Sequence, residues 1–93
     1  MAGEASISTD ILARYAGDAA CEVPGVHGLA GRKPVRVADE GSRFELHLAV
    51  DWGASIPDVG RSVQERVREY LLSMADLRPA VVDVVVDEIG PLR

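Results

Sequence analysis

The residues of this chain that could do chemistry are few. Its 93 residues hold one cysteine, Cys21, and two histidines, His27 and His47. A nucleophilic thiol needs a nearby cation or histidine to lower its pKa. Cys21 instead follows Ala19 and Ala20 beside an apolar stripe, which reads as a small core filler. The two histidines fall on different predicted elements, without a second cysteine or a His-x-x-x-His pair. That spacing predicts no metal site. Asp83, Asp87 and Glu88 cluster at one strand end and read as solvated charge. No Walker or dinucleotide-binding fingerprint is present. The expectation is a protein with no catalytic residue, no metal and no cofactor.

One stretch keeps a second reading open. Gly28 to Gly31, "GLAG", is followed by Arg32 and Lys33. Glycines at this spacing with adjacent cations have the form of a loop that clamps an RNA backbone. With Arg36 they make the single basic cluster in the sequence. Such a clamp needs a helix directly after the loop, and here Pro34 and a strand pattern follow. The net charge of −5 also opposes nucleic acid as a partner. RNA binding through Gly28, Gly31, Arg32 and Lys33 therefore stands as the alternative.

The elements that position these residues come from a chain of globular composition. Hydrophobic residues make up 47% and charged residues 27%. Residues 1–93 are expected to form one domain, burying roughly 60–65% of the unfolded surface. A single cysteine allows no internal disulfide, which fits a reducing compartment. No apolar run reaches the ~18 residues of a membrane span. The N-terminal "MAGEASISTD" has neither a basic region nor an apolar stretch, so no signal peptide is expected. These features predict a cytoplasmic protein with no direct membrane insertion.

Hydrophobic spacing predicts six elements. Gly3 to Ser8 is a short strand candidate. Ser8, Thr9 and Asp10 supply a helix N-cap. Ile11, Leu12, Tyr15, Ala16, Ala19, Ala20 and Val23 then recur at helical spacing. Pro24 and Gly25 stop that helix, and a loop runs to Lys33. Pro34 to Asp39 and Arg43 to Val50 are predicted strands joined as a hairpin through a turn at Asp39 to Ser42. A second helix follows, with Ser55 as N-cap and Pro57 in its first turn. Its apolar stripe is Ile56, Val59, Val63, Val67, Tyr70, Leu71 and Met74. The last strand has Val82, Val84 and Val86 facing inward.

The order is β-α-β-β-α-β, an α+β domain with two helices on one face of a mostly antiparallel sheet. The other face is then open. It carries Arg36, Arg43, Glu45, His47, Ala49, Val81, Asp83 and Val85. Val81 and Val85 are apolar there without a folding reason. Val81, Asp83, Val85, Arg43 and His47 are the candidate partner-binding residues.

Two stretches resemble a known family. "EVPGVHGLAG" closes the first helix, and "VDWGASIPDVGRSVQERV" joins a strand to the second. Together they are similar to the alkaline shock protein twenty-three family of envelope stress response proteins. Glu22, Val23, Pro24, Gly25, Val26 and Gly28 match its first motif. Val50, Gly53, Ile56, Pro57, Val59, Val63, Gln64 and Val67 match its second. The likeness runs from Ile7 to about Val86. Trp52 replaces the usual Tyr, and Gly60 the usual Ala, which weakens the helix by about 1 kcal/mol. The middle loop is short and there is no charged tail, so the chain resembles a compact member. The resemblance implies a non-enzymatic cytoplasmic adaptor or scaffold of Gram-positive-type bacteria, linked to envelope homeostasis. It implies self-association and a membrane-anchored protein partner. It also implies a structural role for the loop at Pro24, Gly25, Val26 and Gly28.

Overall fold

The computed structural model of the protein describes residues 7–90. Their order is α1 (Thr9–Cys21), β1 (Val26–Leu29), β2 (Val35–Ala38), β3 (Arg43–Val50), α2 (Ile56–Ala75) and β4 (Val81–Ile89). A short 3-10 turn at Asp39–Gly41 joins β2 to β3. The fold is α+β, as expected, with the order α-β-β-β-α-β. The strand expected at Gly3 to Ser8 lies largely outside the described residues. Ser8 itself is the extended N-cap of α1, and its Oγ accepts from the Ile11 amide at 3.2 Å.

β3 is the central strand. β1 pairs with its C-terminal half and β2 with its N-terminal half, both antiparallel. β4 runs parallel along the whole of β3, from Arg43 opposite Val81 to Val50 opposite Ile89. A strand has two edges, so β1 and β2 share one edge end to end. The segment between them leaves the sheet at Ala30 and returns at Pro34. Both ends are tied to one residue. Ala30 N donates to His47 O at 2.9 Å, and His47 N donates to Pro34 O at 2.7 Å.

The expected loop from Gly25 to Lys33 thus contains a strand, β1. Its four residues have too little alternation to signal one; pairing with β3 creates it. The expected hairpin of β2 and β3 is present, with Val37 opposite Phe44. Parallel pairing of β3 and β4 requires a long crossover, and α2 supplies it.

The core lies between the helices and one sheet face. Phe44, Leu46, Leu48 and Val50 from β3 are at most 1% exposed. Val59, Val63, Val67 and Leu71 of α2 and Leu12, Ala16, Ala19 and Ala20 of α1 close over them. The ends of the predicted α2 stripe stand out from this core, with Ile56 41% and Met74 47% exposed. The helices meet through Tyr15 and Tyr70, packed edge to face at 5.9 Å. Arg66 of α2 donates twice to Glu22 Oε1 at the end of α1, at 2.9 and 2.6 Å. It also lies 5.4 Å from the Tyr70 ring centroid.

Cys21 is exposed, not a core filler. It follows Ala20 by one residue, and one helical step turns a side chain by about 100° away from the stripe. Partial burial, with Asp18 adding to it, pushes its thiol pKa up, the opposite of activation.

Candidate functional site

Among the described residues no helix lies over the second sheet face, since the buried residues of both helices pack into the core on the other side. Strand alternation places Arg43, Glu45, His47 and Ala49 of β3 on this open face. Across β4, Arg43 stands opposite Val81, Glu45 opposite Asp83 and His47 opposite Val85. Across β2, Arg36 stands opposite Glu45. The five candidate partner-binding residues therefore share one surface. Val81 is half-buried among its neighbours, while Val85 is 37% exposed.

His47 is the most connected side chain of this face. Its Nε2 lies 2.6 Å from Glu45 Oε2, and its Nδ1 lies 2.8 Å from Asp87 Oδ2. Alternation within β3 leads to Glu45, and alternation within β4 leads to Asp87, two residues past the Val85 that stands opposite His47. The register shifts just there, Val86 pairing with Leu48 but Glu88 with Ala49, which leaves Asp87 without a partner of its own in the ladder. Donating from both nitrogens needs the imidazolium form. The hydrogen bond to Glu45, and then that to Asp87, hold the His47 pKa above the ordinary imidazole value.

The sequence reading of Asp87 is solvated charge, and the structure bonds its carboxylate to a ring. Its spacing from Val81, Asp83 and Val85 places it on the open face, but the sequence does not say that β4 lies beside β3. The carboxylates sit at opposite ring nitrogens and do not converge on one point. Among the described residues, no group of three or more His, Cys, Asp or Glu could hold a metal ion. His27 lies apart in β1, exposed, with Nδ1 3.3 Å from Asp51 Oδ1.

The basic cluster does assemble. Arg32, Lys33 and Arg36, with Ala30, Gly31, His47 and Asp87, line a hollow on the open face. Gly28 sits in β1 opposite Ala49, and Gly31 turns with φ +86 in the segment that leaves the sheet. A strand, β2, follows that segment.

The motif loop joins distant parts. Gly25 has φ +97, and its carbonyl accepts from Asp51 N at 2.8 Å. A Cβ on Gly25 would lie 2.7 Å from Val59 Cγ2 and 3.6 Å from the Ala54 Cβ. Val26 packs partly buried against the core. The first motif therefore docks onto the second through a glycine that no larger residue can replace without movement.

No helix among the described residues is long and apolar enough to cross a membrane. The profile of the alkaline shock protein twenty-three family, described by a cell envelope-related function, matches residues 33–91. The uncharacterized protein YqhY of Bacillus subtilis (strain 168) is 35% identical over 92 residues, covering 81% of this chain and 68% of the relative. The uncharacterized protein Spy1614 of Streptococcus pyogenes serotype M6 is 26% identical over 106 residues, covering 94% of this chain and 88% of the relative. Among solved structures, one MamM-CTD variant superposes with a TM-score of 0.60 at 19% identity, covering 90% of this chain and all 100% of that chain. A second reaches 0.65 at 18% identity, covering 89% and 96%. These likenesses are of fold alone. The matched profile and the YqhY relationship agree: the chain belongs to the alkaline shock protein twenty-three family, whose function is cell envelope-related.

Proposed function

We propose that the protein is a non-enzymatic adaptor of the cell envelope, acting in the cytoplasm and held near the membrane by a membrane-anchored protein partner. It self-associates, and the open face of the sheet is its contact surface. One observation carries this reading. Both helices cover one sheet face, while the other presents Val81 and Val85 between Arg43, His47 and Asp83 with no other described element over them. An apolar pair inside a charged frame is the composition of a contact patch. The frame supplies charges of both signs for orientation, and the valines supply area to desolvate.

The test is the double substitution Val81→Lys with Val85→Lys. Both side chains point away from the core, so the melting transition should stay close to that of the wild type. Sedimentation velocity of the wild type should show assembly that the double variant has lost. A variant that folds and still assembles like the wild type would remove the open face as the interface.

A further inference from the structure

Acidic residues outnumber basic ones by 15 to 10 in this chain. Among the described residues Arg61 and Arg66 pair with carboxylates and the other Arg and Lys side chains do not; what sets three of those apart is that they converge. Arg32, Lys33 and Arg36 form no ion pair among the described residues, although all three are exposed around one hollow. Their convergence has a structural cause. The segment between β1 and β2 is pinned at both ends to the His47 backbone, and it carries Arg32 and Lys33 out beside Arg36. Like charges held together repel, so the fold tolerates a small loss of stability at this place.

The neighbouring carboxylates are kept from neutralising them. Arg36 stands directly opposite Glu45, the usual geometry of a cross-strand ion pair. Glu45 is instead engaged by His47 Nε2, and Asp87 by Nδ1. The histidine occupies the carboxylate opposite Arg36 and the one that lines the hollow, while Asp10, which lines a second hollow beside Lys33 and Arg36, pairs with neither; the three cations stay available to a ligand.

We infer that the hollow between Arg32, Lys33 and Arg36 binds a phosphate-monoester dianion, carried by a soluble metabolite or by a lipid headgroup. Two guanidinium forks and an ammonium match a group with three terminal oxygens and a double charge. A single carboxylate has one charge and two oxygens for three cations. An extended nucleic acid would have to pass Asp83 and Glu88 in the adjacent β4 lane, which repel a polyanion. This site goes beyond the adaptor reading and does not depend on Val81 or Val85.

The experiment is an amide chemical-shift titration of the full chain with inorganic phosphate, against chloride at matched ionic strength. Saturable shifts at Gly31, Arg32, Lys33 and Arg36 are expected with phosphate alone. Arg32→Glu with Lys33→Glu should weaken binding at least about tenfold, a loss of about 1.4 kcal/mol. Both side chains are exposed, so an unchanged melting curve verifies the fold. Flotation with phosphatidylcholine vesicles distinguishes the two sources. Binding to vesicles containing phosphatidic acid, but not to phosphatidylglycerol vesicles of equal charge, assigns the lipid headgroup. Phosphate shifts without vesicle binding assign a soluble ligand. Shifts no larger than those with chloride, or shifts that persist in the double variant, would overturn the site. So would binding of single-stranded RNA that phosphate does not compete away.

Discussion

Gly25 and Val59 approach so closely that a Cβ on the glycine would stand 2.7 Å from Val59 Cγ2. They belong to the two stretches on which the family resemblance rests, and their contact seats the end of α1 against the start of α2. Gly25 also has φ +97, a conformation that side chains with a Cβ rarely adopt. Gly25→Ala should therefore destabilise the protein by about 2–4 kcal/mol, from backbone strain and overpacking together. Gly28→Ala is the matched control. A Cβ there meets nothing within 4 Å, and the change should stay within about 0.5 kcal/mol. Urea unfolding of both variants checks the difference.

Val63 lies on the buried stripe of α2 with no exposure at all. Val63→Asp would place a carboxylate in the core without a partner, at a cost of several kcal/mol. That is comparable to the whole stability of a domain this size, about 5–15 kcal/mol, and circular dichroism should show the variant unfolded. Arg61, on the exposed face, pairs only with Asp58 at 3.3 Å. Arg61→Ala should change stability by less than about 0.5 kcal/mol. Equal effects from the two substitutions would mean that the helix faces are reversed.

The His47 pKa is raised in the folded state, first by Glu45 and then by Asp87. The ring gains its partners when it is charged. The stability it contributes is therefore fully present below the ordinary imidazole value of 6.5 and lost as pH rises through the raised folded value. Titration followed by the His47 ring protons should show the elevated pKa. Glu45→Gln should lower it more than Asp87→Asn does. A His47 that titrates at the ordinary value in the wild type would show that these two contacts do not form in solution. The phosphate site should follow the same dependence once the ligand is fully dianionic, well above its second pKa of about 6. When His47 loses its proton, Glu45 and Asp87 are released toward Arg36, and binding of the dianion should weaken. The charges facing the ring are Glu45 on β3, Asp87 on β4, Arg36 on β2, and Arg32 and Lys33 beside them.

Cys21 is exposed on α1, yet its thiol pKa is pushed up by partial burial and by Asp18. Maleimide should label it completely in the folded protein, but more slowly than a free cysteine at the same pH. Asp18→Asn should speed the reaction. Labelling only under denaturing conditions would place the thiol in the core after all.

Much of this architecture was legible in the sequence because it is written in local periods. Ser8 and Ser55 cap their helices where the hydroxyl precedes the apolar stripe, and both hydroxyl oxygens accept an amide three residues on. Alternation in β3 puts Phe44, Leu46, Leu48 and Val50 on the core side, with Arg43, Glu45 and His47 on the open side. Side-chain direction follows from backbone geometry within one element, so no knowledge of a neighbour is needed. The stretches that carry the family resemblance are likewise local strings; the chain belongs to that family, and the second stretch lies within the matched residues 33–91.

Tertiary structure decided which elements stand side by side. A period of two says which way a side chain points and nothing about which strand lies next to it. The short β1 exists because β3 offers it an edge, and β1 shares that edge with β2. The parallel run of β4 along β3 depends on α2 crossing over the sheet. The approach of Asp87 to His47 is a property of that pairing, between residues forty apart in the chain. Arg36 and Glu45 were readable as open-face residues. That Glu45 engages His47 rather than Arg36, leaving three cations around one hollow, follows from distances that only the assembled sheet sets.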